Sequence, residues 1–306
     1  MTDTNTKKHT DIKSGNVVER FLPCRLQPYA YLMRLDRPVG TWLLLLPGWW
    51  ALILAAGGSR GIEGEIFRLL ILFAMGAVIM RGAGCIINDL WDQKFDRAVA
   101  RTATRPLAAG TVSPMQAFIL LGALLLAGLI ILCQMSLVTV LLGFMVLPLI
   151  ILYPLMKRWT WWPQLFLGIT FNFGALMGWA AVNDVISLPS LLLYGGGIFW
   201  TLGYDTIYAH QDREDDMRIG IRSTALRFGE NSKNYVAIFY TMAMIFFVAA
   251  FFLVGAGLSS VMLLILSGAH LLGQVKAWDR DDPESSLEVF KSNQAFGLLV
   301  LLAAIL

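Results

Sequence analysis

The chain is predicted to be an all-α integral membrane protein, a bundle of about nine transmembrane helices, on three observations. Its 306 residues are 57% hydrophobic and only 15% charged, with a mean hydropathy of +0.64. Soluble domains carry about 25% charged residues, so most of this chain is not built to face water. Apolar runs long enough to cross a bilayer, about 17–25 residues, recur throughout. Finally, Lys and Arg gather in alternate connections, the bias that orients membrane proteins with their basic loops inside.

In order, residues 1–28 form a polar tail, expected to be disordered and cytoplasmic. Acidic groups are mixed among its lysines and it has no apolar core, so it is neither a signal peptide nor a transit peptide. One membrane domain, 29–306, follows. Its spans are predicted at 39–57, 67–87, 114–134, 136–156, 164–182, 190–209, 234–254 and 258–276. A ninth run, 293–306, has only 14 residues. It must begin before Asn293, tilt, or cross a thinned edge of the bilayer.

With the N-terminus inside, the inner segments are the tail to Pro38 and the loops 88–113, 157–163, 210–233 and 277–292. Counting Lys276 with the last loop, they hold 7, 4, 2, 5 and 3 Lys and Arg, 21 of the chain's 24. The outer side holds Arg60 and Arg68, and Arg81 lies inside the second span. This asymmetry places the N-terminus, and the long polar loops where chemistry is expected, in the cytoplasm. The short, arginine-poor tail favours a bacterial inner membrane over a mitochondrial one. The net charge of +3 is small, and no nucleic-acid partner is expected. Cys24, Cys85 and Cys133 have no paired spacing, hence no disulfide or metal framework. Cys85 and Cys133 are expected to be small packing residues.

The candidate chemistry starts at NDLWDQKFD, Asn88–Asp96. Asn88, Asp92 and Asp96 are spaced by four, with Asp89 three before Asp92, so a helix gathers them on one side. Crowded carboxylates raise one another's pKa unless a cation sits among them. Hard oxygen ligands of this kind suit Mg²⁺, completed by water and substrate phosphate. Alone, an acidic stripe at a helix end is usually a solvated face. A second cluster, DTIYAHQDREDD, Asp205–Asp216, leaves the sixth span on the same side as the first leaves the second. Two such clusters in corresponding places point to one site for an amphiphile with an anionic phosphate head and an apolar tail. Lys94, Arg97, Arg105, Lys157 and Arg158 are placed to neutralise that head. Arg81, two turns inside the membrane from Asn88, is expected either to pair with a partner across the bundle or to extend the polar site inward as an anion ligand.

Other residues have plainer readings. Trp42, Trp49, Trp50, Trp159, Trp161 and Trp162 cluster near span ends and are expected in the interfacial belt. Asn172, inside the fifth span, is expected to be helix–helix glue. His9 and His270 have no ligand-like partner, and His210, beside Asp212, is not expected to relay a proton.

These motifs resemble those of the UbiA superfamily of membrane prenyltransferases, and within it the members that act on 4-hydroxybenzoate. The NDxxDxxxD signature matches Asn88–Asp96, DxxxD matches Asp212–Asp216, and YxxxK matches Tyr153–Lys157. Longer stretches agree as well: RLDRPVGTWLLLLPGWWAL, RGAGCIINDLWDQKFD, RTATRPLAAG, YPLMKRWTWWPQ and GYDTIYAHQDREDD. The resemblance covers about Tyr31 to the end.

It implies a bundle around a central cavity capped by cytoplasmic loops. It also implies Mg²⁺-dependent transfer of a polyprenyl chain from polyprenyl diphosphate to the carbon of 4-hydroxybenzoate ortho to its hydroxyl, in ubiquinone synthesis. By that pattern Asn88, Asp92, Asp96, Asp212 and Asp216 hold diphosphate through Mg²⁺, the four aspartates being the catalytic set. Lys157 touches the diphosphate, with Lys94 and Arg105 nearby. Arg158 takes the hydroxybenzoate carboxylate, with Arg34 behind it and Arg81 deeper. The alternatives are transfer to naphthoate, homogentisate or haem, or, from another class, cation transport. Transporters concentrate ionisable groups near the midplane, whereas nearly all of these lie at helix ends.

Overall fold

The computed structural model describes residues 12, 15–99 and 101–306, and among them every regular element is helical. In chain order the α-helices are α1 Val17–Phe21, α2 Gln27–Leu32, α3 Val39–Ala55, α4 Gly64–Ala98, α5 Pro106–Ala109, α6 Pro114–Leu132 and α7 Leu137–Trp159. They continue with α8 Pro163–Phe171, α9 Phe173–Asn183, α10 Leu188–Ala209, α11 Arg213–Ile219, α12 Thr224–Phe228, α13 Ser232–Leu253, α14 Leu258–Ala277 and α15 Pro283–Ile305.

Seven helical stretches among the described residues are long and apolar enough to cross a membrane, which makes this a multi-pass membrane protein. They are α4, α6, α7, α8 with α9, α12 with α13, α14 and α15. Two predicted spans fall outside that set. Helix α3 is only 17 residues long. Helix α10 is diluted by Gly195, Gly196, Gly197, Gly203 and Asp205, where backbones and rings pack closely: a Cβ on Gly203 would meet Tyr240, and one on Gly196 would meet Phe247. Ile119, Leu126 and Ile265 are exposed large apolar side chains on α6 and α14, a surface suited to lipid and costly in water.

The final helix takes the first of the three routes open to the short run at 293–306. It begins ten residues earlier, at Pro283, with Asp282 as N-cap accepting from the amides of Glu284 and Ser285. The polar first turns hid it, because Ser286 and Asn293 are buried against protein rather than turned to water. The fifth span is broken at Asn172. Its side-chain amide donates to the Gly168 carbonyl and to Thr201 Oγ1 of α10, both at 2.8 Å, in agreement with its reading as glue.

The chain forms two compact units. Of the described residues, one unit holds those up to Pro38 with those of Ile79–Gly128, and the other Val39–Val78 with Leu129–Leu306. In the first, Leu32, Ala83, Ile86, Leu107, Val112 and Ala117 make the core. Helix α1 lies within the expected tail. Asn16 caps it, and Val18 packs on Ala30 and Tyr31. The rest of that tail, residues 1–11, 13 and 14, lies outside the described residues.

In the second unit Trp50, Trp200, Phe247 and Phe296 pack ring on ring. Trp50 corrects an expectation: it is fully buried and donates to the Gly297 carbonyl at 2.8 Å, so it belongs to the core and not to the interfacial belt. Trp159 and Trp161 are exposed, whereas Trp162 lies edge-on to Phe228. Cys85 is buried as expected, but Cys133 is exposed near the end of α6. Buried hydrogen bonds tie the helices together: Trp200 Nε1 donates to Asn293 Oδ1 at 2.8 Å, and the Tyr240 hydroxyl donates to Gln274 Oε1 at 3.1 Å. In a bilayer such pairs hold helices together where lipid offers no hydrophobic drive.

Candidate functional site

Helix α4 has 35 residues, about 52 Å at 1.5 Å per residue, far more than the roughly 30 Å hydrocarbon core. Its last three turns therefore carry the first motif beyond the apolar stretch 67–87. The following segment is folded back on that projecting end. Thr102 Oγ1 donates to the Asp96 carbonyl at 2.9 Å, Gln93 Nε2 to the Leu107 carbonyl at 3.1 Å, and Arg97 Nε to the Ala108 carbonyl at 3.1 Å. Arg97, expected to neutralise phosphate, is thus bound to a helix end. Pro106 starts α5 at its first position, where a missing amide costs nothing, and Gly110, at φ 77°, ends it in the left-handed region.

Asp89, Asp92 and Asp96 are all buried, Asn88 is half-buried and Lys94 is exposed. Arg34 Nη2 meets both Asp89 oxygens, at 2.6 and 2.9 Å, and its Nη1 donates to the Tyr31 carbonyl at 2.9 Å. Arg105 Nη1 lies 3.1 Å from both Asp96 oxygens and 3.5 Å from Asp89 Oδ1. Asp89 and Asp96 are seven residues apart, almost two full turns, and so line up along the helix for one guanidinium to reach both. Burial pushes the Asp96 carboxyl up, against the pull of Arg105, and the neighbouring Asp89 and Asp92 charges push it the same way. Arg81 is half-buried in α4, two turns before Asn88.

The second unit carries the other predicted residues. Asp212 ends the short turn His210–Asp212 and precedes α11, in which Asp216 lies, and both are half-buried. Glu214 and Asp215 turn outward and pair with Arg218 at 3.7 and 3.6 Å. Lys157 and Arg158 occupy the last turn of α7, where cations complement the helix dipole. That turn is tied to the loop after α11: the Arg222 amide donates to the Lys157 carbonyl at 2.9 Å, and Arg222 Nη1 donates to the Trp159 carbonyl at 2.9 Å. His210 lies with Nδ1 3.1 Å from the Arg280 carbonyl and Nε2 3.0 Å from Ser232 Oγ. Burial pushes its imidazole down to about 4, so it is a neutral tether and no proton relay at neutral pH.

Within the first unit the structure thus brings Arg34, Asp89, Asp96 and Arg105 together, and within the second it fixes Lys157 and Arg158 to the segment after Asp216. Sequence reading missed two of these features. It counted Asp89 with the acidic stripe, and its spacing of seven does align it with Asp96, but it gave Asp89 no arginine partner. It placed Arg222 only among the basic residues that follow the second cluster and gave it no contact with α7. Among the described residues no three His, Cys, Asp or Glu side chains stand close enough together to hold a metal ion between them. The donor set nevertheless suits Mg²⁺, since Asn88, Asp92, Asp96, Asp212 and Asp216 offer oxygen alone. Mg²⁺ takes one or two carboxylates and fills its other positions with water and phosphate oxygens.

A model of the UbiA prenyltransferase family matches residues 44–300. The 4-hydroxybenzoate polyprenyltransferase, mitochondrial, of Homo sapiens is 49% identical over 290 residues, covering 93% of this chain and 76% of that protein. The apo structure of a UbiA homolog from Aeropyrum pernix K1 superimposes with a TM-score of 0.72 at 25% identity, covering 86% of this chain and 96% of that one. A UbiA homolog from Archaeoglobus fulgidus, solved bound to GPP and Mg²⁺, superimposes with a TM-score of 0.67 at 18% identity, covering 91% and 99%.

Proposed function

This chain belongs to the UbiA prenyltransferase family, and from that premise we propose that it transfers a polyprenyl chain from polyprenyl diphosphate to 4-hydroxybenzoate, ortho to the hydroxyl, as a step of ubiquinone synthesis. The coarser statement, that it is an aromatic prenyltransferase, rests on relatives of that name at 45–49% identity. The observation that carries the finer reading is the Arg222 tether. It holds two cations, Lys157 and Arg158, in fixed relation to the loop that follows the Asp212–Asp216 motif.

In this reading Asn88, Asp92, Asp96, Asp212 and Asp216 hold Mg²⁺, which supplies Lewis-acid neutralisation of the diphosphate charge. Lys157, with Lys94 and Arg105, binds the diphosphate oxygens and stabilises the charge that develops as the allylic C–O bond breaks. The apolar helices keep water from the allylic cation left behind. Arg158 receives the acceptor carboxylate in a two-pronged hydrogen bond, backed by Arg81, and so presents the ring carbon to the cation. Arg34, expected behind it, instead has its guanidinium taken up by Asp89 and the Tyr31 carbonyl. The ring proton then leaves to a carboxylate or to the departing diphosphate. The membrane assigned is a bacterial inner membrane with the N-terminus and the acidic motifs on the cytoplasmic side, although the similar relatives are mitochondrial proteins. Fractionation of native cells decides between the two.

The deciding experiment supplies membranes carrying the chain with Mg²⁺, a prenyl diphosphate and, in separate reactions, 4-hydroxybenzoate, a hydroxynaphthoate, homogentisate or haem. Prenylated hydroxybenzoate that EDTA suppresses is the expected product. Product from another acceptor alone, or product indifferent to EDTA, rejects the reading. Arg158→Ala should raise the KM for hydroxybenzoate about tenfold or more while the KM for prenyl diphosphate stays within about twofold, because one charge-assisted contact is lost. Equal losses for both substrates would remove Arg158 from the acceptor site.

A further inference from the structure

Asp89 stands inside the first motif, yet its geometry is that of a counter-ion. Both its oxygens face Arg34 Nη2, at 2.6 and 2.9 Å, and one of them also faces Arg105 Nη1 at 3.5 Å. Asp89 is 1% exposed and Arg34 only 8%. A guanidinium that deep stays charged and so needs a partner, since desolvation of an unpaired ion costs several kcal/mol. The backbone points the same way. Arg34 sits at φ 59°, in the left-handed region that disfavours side chains with a Cβ. There the chain turns: the Arg34 amide donates to the Tyr31 carbonyl and the Leu35 amide to the Ala30 carbonyl, each at 3.0 Å. That turn sends the arginine inward to Asp89, 55 residues further along the chain.

Arg105 completes the arrangement. It approaches from the loop, places one nitrogen 3.1 Å from both Asp96 oxygens, and lies 3.5 Å from Asp89 Oδ1, the oxygen that Arg34 holds at 2.6 Å. Arg34 engages both Asp89 oxygens at 2.6 and 2.9 Å, closer than the 3.1 Å at which Arg105 faces the Asp96 oxygens, so Asp89 is the carboxylate more fully taken up by an arginine.

We propose that Asp89 is a positioning residue and not a metal ligand: held by Arg34, it aims the Arg105 guanidinium at the Asp96 end of the motif, where that guanidinium receives the diphosphate. This rests on the diphosphate chemistry proposed above. Asp89 acts through Arg105, so its loss is felt as weaker diphosphate binding and leaves the affinity for the divalent ion in place.

The test uses the full chain purified in detergent, with two probes read directly and without acceptor: Mn²⁺ by electron paramagnetic resonance, and geranyl diphosphate by calorimetry. Asp89→Asn should weaken geranyl diphosphate binding about tenfold or more while the Mn²⁺ dissociation constant moves less than about threefold. Asp92→Asn should instead weaken Mn²⁺ binding about tenfold or more, and with it the part of diphosphate binding that runs through the metal. The double variant Asp89→Asn/Arg105→Gln should bind geranyl diphosphate within about twofold of Asp89→Asn alone, because residues acting in one chain are not additive. A tenfold loss of Mn²⁺ affinity in Asp89→Asn, or additive losses in the double variant, overturns the proposal. Should Asp89→Asn fail to fold around the bare Arg34, Arg105→Gln decides alone. Weakened geranyl diphosphate with intact Mn²⁺ supports the proposal, and unchanged geranyl diphosphate binding overturns it. A wild-type chain that binds both probes but prenylates some other acceptor rejects the assigned substrate and leaves this inference standing. A wild-type chain that binds neither rejects both.

Discussion

Asp92→Ala, and separately Asp212→Ala, should reduce prenyl transfer about 10²–10³-fold or more, the scale of losing one preorganised electrostatic group from a transition state. The protein should still be found in the membrane in normal amount. Neither residue is in the apolar stretches that direct insertion, and alanine is the best helix former, so α4 is not weakened at position 92. Asp92 is 1% exposed, and its charge is one of those that push the Asp96 carboxyl up. Removing it relieves a crowded cluster, so the melting temperature should stay within about 3 °C of the parent, little more than a surface substitution costs. An inactive protein of undiminished stability is the signature of a group kept for chemistry at the expense of comfort. The check measures product per inserted protein alongside a thermal melt in detergent. Full activity in either variant removes that aspartate from the site, while equal loss of activity and stability reduces it to a structural part.

How much was legible beforehand follows the range of the interactions involved. Spacing by four along a helix is local, so the stripe Asn88, Asp92, Asp96 was readable before any coordinates, as was the placing of Lys157 and Arg158 at a helix end. The apolar runs located most spans for the same reason: each is decided by its own composition. What failed depends on residues far apart. Arg34 read as a residue standing behind Arg158 and Asp89 as a member of the acidic stripe, and their pairing at 2.6 Å came only with the fold. Trp50 read as interfacial until its indole met Gly297, 247 residues later. The start of α15 was hidden because Ser286 and Asn293, polar in sequence, are satisfied by Trp278 and Trp200 inside the protein. Hydropathy assigns polar residues to water, and a buried hydrogen bond is the case it cannot see. Arg222 is the plainest instance. Its place after the second acidic cluster marks it as basic, and its two bonds to the end of α7 reveal its part in holding Lys157.

Gly178→Ala should lower the melting temperature by several degrees, and Gly76→Ala should hold or raise it, although both put a better helix former into the interior of a helix. Relative to alanine, glycine in a helix costs about 1 kcal/mol, a gain available at either position. The difference lies in what the new Cβ meets. At Gly76, in α4, nothing lies within 4 Å. At Gly178, in α9, the Cβ would lie 2.4 Å from the Gly48 carbonyl oxygen and 3.2 Å from Ala51 Cβ of α3. Gly174, one turn earlier on α9, presents the same problem, since its Cβ would lie 3.2 Å from the Gly48 amide nitrogen. Two small residues four apart let two backbones touch, which is how membrane helices gain packing energy when lipid is as apolar as leucine. The atom in the way is a backbone oxygen within a helix, which cannot rotate aside as a methionine or leucine tip would. Helices α3 and α9 must therefore separate, at a cost of about 1–3 kcal/mol for overpacking, enough to exceed the propensity gain. Melts of the two variants in the same detergent read the sign directly. Matching shifts would mean that the close approach of α3 and α9 contributes little, whereas opposite signs would identify it as a contact on which the second unit depends.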